Sequence, residues 1–323
     1  MSRPLAGSHK SSYTTDKSNA ALQGARLRRK TAGKEANGQM KRPLILAHRG
    51  FSEQYPENSP LAFQMTVDRT EADGFESDVH MTRDGVPVII HDDTVDRTTN
   101  GTGFVRDHTY QELLELDIGA WKSPAFAGQH IWTLDQLLDF CRETGRLLNL
   151  ELKNDFFFYE GLEQRVIDAV TSRQMQEQVF VSSFNHLSMQ RFKTLCPEIR
   201  TGLLYDKPLL HMDRYLDGSN ADCIHPRYRL LQNLPELTDL FHERGMEIHT
   251  WTVNEEADMR DMIARGADGI ITNRPDRLCR VAEGLCCWAE PFSKNSTRLQ
   301  RPPEAPGRWR RGGPRAGGGG RGG

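Results

Sequence analysis

Two short stretches place charged side chains where a buried strand has no packing use for them. In GFESDVHMT, residues 74–82, Glu76 and Asp78 are two apart, so on an extended chain both face the same way. LLNLELK, residues 147–153, repeats the device: Glu151 and Lys153 share one face, Leu150 and Leu152 the other. Bare buried carboxylates are costly, so three aimed at one region must be paired, protonated or bound to a cation. Three oxygen donors with no cysteine beside them suit Mg²⁺ or Ca²⁺ better than zinc. Further reactive groups stand at the ends of apolar runs. His48 and Arg49 end LILAHR, and His91 follows VII in VIIHDD. Beyond Gly50 the chain turns and sets Glu57 and Asn58 at a helix start. Two histidines, three carboxylates, an arginine and a lysine form a set for chemistry at phosphorus. The cation, Arg49 and Lys153 would offset charge on non-bridging oxygens. One histidine would take the proton of the attacking hydroxyl and the other would protonate the leaving alkoxide. Histidine suits both tasks because its ordinary pKa lies near working pH.

A scaffold is needed to bring these tips together. Short β-rich apolar runs lie at 44–49, 74–82, 147–153, 179–184, 201–206, 223–228, 247–253 and 269–273. Stretches at helical spacing lie between them, at 59–69, 133–144, 162–173, 186–195, 234–244 and 255–265, with the helix before Cys223 the weakest in pattern. Gly145, Gly245 and Gly266 sit just past three of these helices, where left-handed caps are expected. Eight strand–helix units predict an α/β fold, a parallel sheet closed as a TIM (β/α)8 barrel. An open doubly wound sheet is the alternative, but no glycine-rich phosphate loop follows the first strand. The alternation breaks once, at about 93–132, read as an insertion after the second strand on the face where barrel active sites form.

The motifs HRG…PEN…AF, GFESDVHMTRDGVPVIIHDDTVDRTTNGTG, LELK, WTVN and GADGIITNRPD resemble the glycerophosphodiester phosphodiesterase family from about residue 43 to 283. The resemblance implies a barrel of the phospholipase C-like phosphodiesterase superfamily that hydrolyses glycerophosphodiesters to glycerol 3-phosphate and an alcohol. It implies that His48 and His91 are the acid/base pair, and that Glu76, Asp78 and Glu151 bind the divalent cation. Arg49 and Lys153 would contact phosphate, Glu57 and Asn58 would order the site, and Trp251 would line the substrate pocket. The insertion matches the family's small inserted subdomain. Departures are mild: PENS stands for the commoner PENT, and Asn185 and Asn273 replace acidic residues common in the family. In look the chain is most similar to bacterial cytoplasmic members.

Composition frames this reading. The hydrophobic fraction is 37%, low for a globular chain, but the apolar residues concentrate between about 43 and 289. Residues 1–42 carry ten basic and two acidic residues, and 290–323 carry eight and two, so the formal net charge of −2 hides an acidic body. Both ends are too polar to offset their ordering entropy and read as disordered. The arginine- and glycine-rich tail has one tryptophan and no further aromatic after it, so nucleic-acid binding is not expected. Six cysteines with no C-x-x-C suggest neither a zinc site nor a disulfide framework. No apolar run is long enough for a signal or a membrane span, so the expectation is a cytoplasmic protein with a small-molecule substrate and no stable membrane anchor. A rival enzyme reading is lysophospholipase D-like hydrolysis of lysophospholipids, for which NDFFFYEG, residues 154–161, would offer an apolar loop. A non-catalytic barrel would normally have lost a histidine or a ligand, and none is missing.

Overall fold

The structure is a computed structural model that describes residues 41–286. Nine strands form one sheet: β1 Leu44–His48, β2 Gly74–Met81, β3 Pro87–Ile89, β4 Leu147–Leu152, β5 Val179–Ser183, β6 Arg200–Tyr205, β7 Cys223–Pro226, β8 Glu247–Thr250 and β9 Gly269–Thr272. Their order is β1-β9-β8-β7-β6-β5-β4-β2-β3, and a β1–β2 pairing closes the ring. The eight barrel strands are parallel, while β3 lies antiparallel on β2 outside the ring. This is the expected TIM barrel with one added strand.

The helices are α1 Pro60–Arg69, α2 Tyr110–Leu114, α3 Leu134–Thr144, α4 Leu162–Ser172, α5 His186–Leu195, α6 Met212–Asp217, α7 Tyr228–Asn233, α8 Glu236–Glu243, α9 Glu256–Ala264 and α10 Pro275–Cys286. Local chemistry explains their ends. Ser59 caps α1 by accepting from the Ala62 amide, and Thr133 and Gln136 form a reciprocal capping box on α3. Gly145 closes α3 at φ 67°, a left-handed value that favours glycine, and Gly245 and Gly266 take φ of 72° and 83° as expected. Three helices are not anticipated by the pattern: the short, box-capped α2 inside the insertion, α7 and α10. The single turn and a half of α7 follows β7 directly, where the sequence read as strand and loop. In α10, Leu278, Val281 and Ala282 bury a helical stripe that the pattern reading, ending at 265, did not reach. The weak helix before Cys223 is the six-residue α6.

The main core lies between the barrel and its helices, and takes Leu148, Leu150 and Leu152 from the outer face of β4. The insertion has its own small core of Val88, Ile90, Val95, Val105, Leu113, Ile118 and Ile131. Inside the ring, Leu46, Phe180 and Ile271 pack with Trp251. One contact sets how closely β2 and β4 approach: a Cβ on Gly74 would stand 2.2 Å from the Leu147 carbonyl oxygen. Gly74→Ala is therefore expected to destabilise the fold by about 3 kcal/mol, read as a lower urea midpoint at unchanged slope.

Of the basic segment read as 1–42, Lys41 and Arg42 fall within the described residues, with Arg42 paired to Asp73 at 2.7 Å. The remainder of that segment and the tail at 290–323 lie outside them. No described helix is long and apolar enough to cross a membrane.

Candidate active site

Parallel register carries the reactive groups to the same end of the barrel. His48 of β1 pairs with Glu76 of β2, and Asp78 of β2 with Glu151 of β4. The donor oxygens of Glu76, Asp78 and Glu151 consequently lie within 4.8 Å of one another, with all three residues buried. Arg49 turns the chain at φ 56°, a left-handed value for a side chain with a Cβ, at a cost of about 1–3 kcal/mol. Its amide donates to the Glu76 carbonyl at 2.8 Å and to Glu76 Oε2 at 3.2 Å, which holds that conformation. Its guanidinium reaches Glu57 Oε1 at 2.8 Å and places Nε 3.4 Å from Asp78 Oδ2. Lys153 Nζ lies 2.7 Å from Glu151 Oε1 and 3.8 Å from Asp78 Oδ1.

The PEN turn braces the cluster. Asn58, also left-handed at φ 54°, donates to Asp78 Oδ2 at 2.9 Å and accepts from Ser77 Oγ at 2.9 Å. Glu57 accepts from Arg49 and, at 2.7 and 2.9 Å, from Arg97. Arg97 also grips Asp92, whose Oδ1 lies 2.6 Å from His91 Nδ1. His48 Nδ1 lies 2.6 Å from Asn273 Oδ1; with the proton assigned to Nδ1, Nε2 is left free on the cavity side, 3.8 Å from Glu76 Oε2.

The electrostatics describe a site short of positive charge. Burial, then Asp78 and Glu151, push the Glu76 carboxyl well above the usual range. Burial also raises Glu151, against the pull of Lys153. Asp78 is the exception: burial pushes it up, but His91, Arg49 and Lys153 hold it below the ordinary carboxylate range. Its Oδ1 is buried with no hydrogen-bond donor among the described residues. Three buried carboxylates face two cations, and one oxygen is left without a donor. That set fits a hard divalent cation, which all three residues could hold. Burial and Arg49 lower His48 to about 3.

Most of these groups meet at one open cavity lined by His48, Arg49, Glu76, His91, Glu151, Lys153 and Trp251. Trp251 is fixed by its Nε1 donating to the His225 carbonyl at 2.8 Å and by an edge contact with Phe184. Asp78, Glu57 and Asn58 stand behind the lining. Every residue singled out in the sequence thus reaches one region. Sequence reading missed Asp92, Arg97 and Asn273 as partners, and Asn149, Ser182, Phe184, Leu204, Thr252 and Ile271 as lining. Asp92 and Arg97 had a signal in IIHDDTVDR. Asn273 was noted only as a departure from the family pattern, and its bond to His48 spans 225 residues.

His80 stands further along β2 toward the active-site end, with Nε2 3.1 Å from the His91 carbonyl and Nδ1 3.0 Å from the Tyr159 hydroxyl. Burial lowers it from 6.5 to about 4. A depressed histidine pKa means that the unfolded chain takes the proton first. Stability is therefore complete above pH 6.5 and is lost as pH falls toward 4, by about 3 kcal/mol from this group. His80→Gln is expected to flatten the dependence of urea stability on pH in that window, measured without added metal.

A parallel barrel with two histidines and an acidic cluster at its carboxyl end has the groups that phosphoric diester hydrolysis requires, and the relatives of this chain are hydrolases of that class. The chain belongs to the glycerophosphoryl diester phosphodiesterase family, whose model matches residues 48–277. A glycerophosphodiester phosphodiesterase of Caldanaerobacter subterraneus is 40% identical over 238 residues, covering 74% of this chain and 97% of that protein. Another, from Bacillus altitudinis, is 35% identical, covering 75% and 98%. Among solved structures, an Oleispira antarctica phosphodiesterase in complex with the product sn-glycerol-3-phosphate has a TM-score of 0.67 at 28% identity, covering 75% of this chain and 97% of that one. The glycerophosphodiester phosphodiesterase of Agrobacterium tumefaciens has a TM-score of 0.64 at 28% identity, covering 74% and 99%.

Proposed function

We propose that this enzyme hydrolyses glycerophosphodiesters such as glycerophosphocholine and glycerophosphoethanolamine to sn-glycerol 3-phosphate and the free alcohol. The observation that carries the reading is the convergence of His48 and His91, 43 residues apart in sequence, on one cavity with the carboxylate cluster between two cations. Glu76, Asp78 and Glu151 would hold Mg²⁺ or Ca²⁺, which when bound supplies Lewis-acid polarisation of a phosphoryl oxygen. Arg49 and Lys153 bind the non-bridging oxygens as the diester enters. One histidine accepts the proton of the attacking water, or of the neighbouring glycerol hydroxyl, and the other delivers a proton to the departing alkoxide. Asn273 orients the His48 ring, while Asp92, itself held by Arg97, orients His91. Glu57 and Asn58 hold Arg49 and Asp78 in place, and Trp251 packs against the glycerol or the leaving alcohol.

In this reading 43–289 is the catalytic barrel, and 1–42 and 290–323 are tails outside the chemistry. Cys141, Cys196, Cys223 and Cys279 are buried and form no disulfide, which supports a reducing, cytoplasmic setting. The test is release of glycerol 3-phosphate from the two diesters with Mg²⁺, with Ca²⁺ and with EDTA. Turnover with a metal and none with EDTA supports the reading; no turnover on either diester overturns it.

One observation favours the second reading. Phe156 and Phe158, on the loop that leaves β4 at the active-site end, are 65% and 78% exposed, and Phe104 of the insertion is 40% exposed nearby through its contact with Phe157. Lysophosphatidylcholine presented as micelles would be turned over faster than glycerophosphocholine if this apolar lip receives an acyl chain. Equal loss of both activities in Phe156→Ser/Phe158→Ser would remove that support.

A further inference from the structure

The device that builds the catalytic cluster recurs on the far side of the barrel with softer ligands. Cys223 and His225 are two apart on β7, and Glu247 and His249 two apart on β8, so each pair shares a face. The register sets Cys223 beside Glu247, and the same spacing brings His225 beside His249. Cys223, His225 and His249 have no exposed surface, and one donor atom from each lies within 4.8 Å of the others. The two imidazole rings stand 4.9 Å apart and pack against Phe180. Room for them comes from neighbouring strands: a Cβ on Gly202 would lie 2.5 Å from His225 Nε2, and one on Gly269 would lie 2.7 Å from the His249 ring.

All four ring nitrogens of these histidines lack a hydrogen bond among the described residues. Buried polar atoms are seldom left so, and four in one place call for an occupant. Water can bond imidazole nitrogens, but a thiol set among them is a ligand that zinc-class ions prefer and water does not use. We propose that Cys223, His225 and His249 bind one zinc-class ion in the lower half of the barrel, with Glu247 as the fourth ligand. Bonds of about 2.0–2.3 Å at tetrahedral angles separate ligand atoms by about 3.3–3.8 Å. Glu247 Oε2 lies 3.4 Å from His249 Nε2 and 3.9 Å from Cys223 Sγ, close to two such edges. A thiolate and a carboxylate balance the charge of a divalent ion. Arg200, 2.9 Å from Glu247 Oε2 and stacked on Phe180, would orient that carboxylate from outside the ligand set. Glu247 is partly exposed at the barrel base and gives the ion a way in.

Four protein ligands leave no open position, so the site is structural rather than catalytic. It would tie β7 to β8, which share only two registered pairs and one further bridge between Arg227 and Trp251. Sequence reading dismissed zinc because no two cysteines are suitably spaced; the ligands come in pairs 24 residues apart on adjacent strands.

The test uses the full chain, stripped with chelator and titrated with Co²⁺ alone. A cobalt–thiolate site absorbs by charge transfer in the near ultraviolet, which the all-oxygen catalytic cluster cannot do. The expected result is one equivalent of Co²⁺ with that absorption, unchanged by excess Mg²⁺, displaced by Zn²⁺, and absent in Cys223→Ser. X-ray absorption of the zinc-loaded wild type should show one sulfur and two imidazoles around the metal, a readout that holds if the variant fails to fold. Absence of the band in the wild type, its persistence in Cys223→Ser, or a zinc shell without sulfur would overturn the proposal. None of these readouts depends on diester hydrolysis, so failure of the catalytic reading would be seen separately.

Discussion

Replacing His48 or His91 with alanine is expected to lower kcat on glycerophosphocholine by about 10³-fold, within the 10²–10⁴ range of a positioned acid or base. Each ring occupies the cavity wall with Nδ1 tied down, His48 to Asn273 and His91 to Asp92, so each presents Nε2 in a fixed direction. Loss of either leaves a proton stranded on one side of the reaction. The double variant is then expected to be little worse than the worse single one, since the two act as a unit. KM should change far less than kcat, because Arg49 and Lys153 remain to bind the diester. Retention of the wild-type melting temperature checks that the fold survives. A variant of either histidine with kcat within threefold of wild type would remove that residue from the chemistry.

The second large effect concerns the carboxylate cluster. Dialysis against EDTA, or Glu151→Gln, is expected to lower turnover at least about a thousandfold, in keeping with several kcal/mol of lost charge stabilisation. Three mutually repelling buried carboxylates also make metal binding pH-dependent. Burial and its acidic neighbours hold the Glu76 carboxyl well above its usual range, so protons compete with a cation for this group. Binding a cation favours the ionised form and displaces protons. Affinity should therefore weaken as pH falls, and titration calorimetry in buffers of different ionisation enthalpy should report proton release on binding. Proton uptake, or affinity independent of pH from 6 to 8, would contradict this picture of the site. Restored turnover on adding Mg²⁺ or Ca²⁺ to the dialysed enzyme would identify the preferred ion.

Much of this protein was legible without coordinates, for a local reason. A strand alternates faces every residue, so Glu76 with Asp78, and Glu151 with Lys153, had to be paired whatever the fold. Helix ends obey equally local rules, which is why Ser59, Thr133 and Gly145 stand where the caps require them. Eight apolar runs alternating with amphipathic stretches leave few closed solutions, and the β1–β2 pairing realises one of them. Where the pattern reading stopped too early, at α10, the signal was present in the spacing of Leu278, Val281 and Ala282.

Tertiary structure alone decided which tips meet. Strand register set Asp78 beside Glu151 and His48 beside Glu76, and a slip of one residue would have turned these groups into the helix-packed core. Ring closure brought Asn273 to His48 across almost the whole described chain. The insertion folded on its own small core and returned Arg97 to Glu57, 40 residues away, so that one guanidinium braces both the PEN turn and His91. The β7–β8 register also gathered Cys223, His225 and His249 from two strands that carry no recognisable metal spacing. Periodicity reports which face a residue occupies, because that depends only on its neighbours in the chain. Which residues share a site depends on register and on how the sheet closes, and those are set by packing summed over the whole barrel.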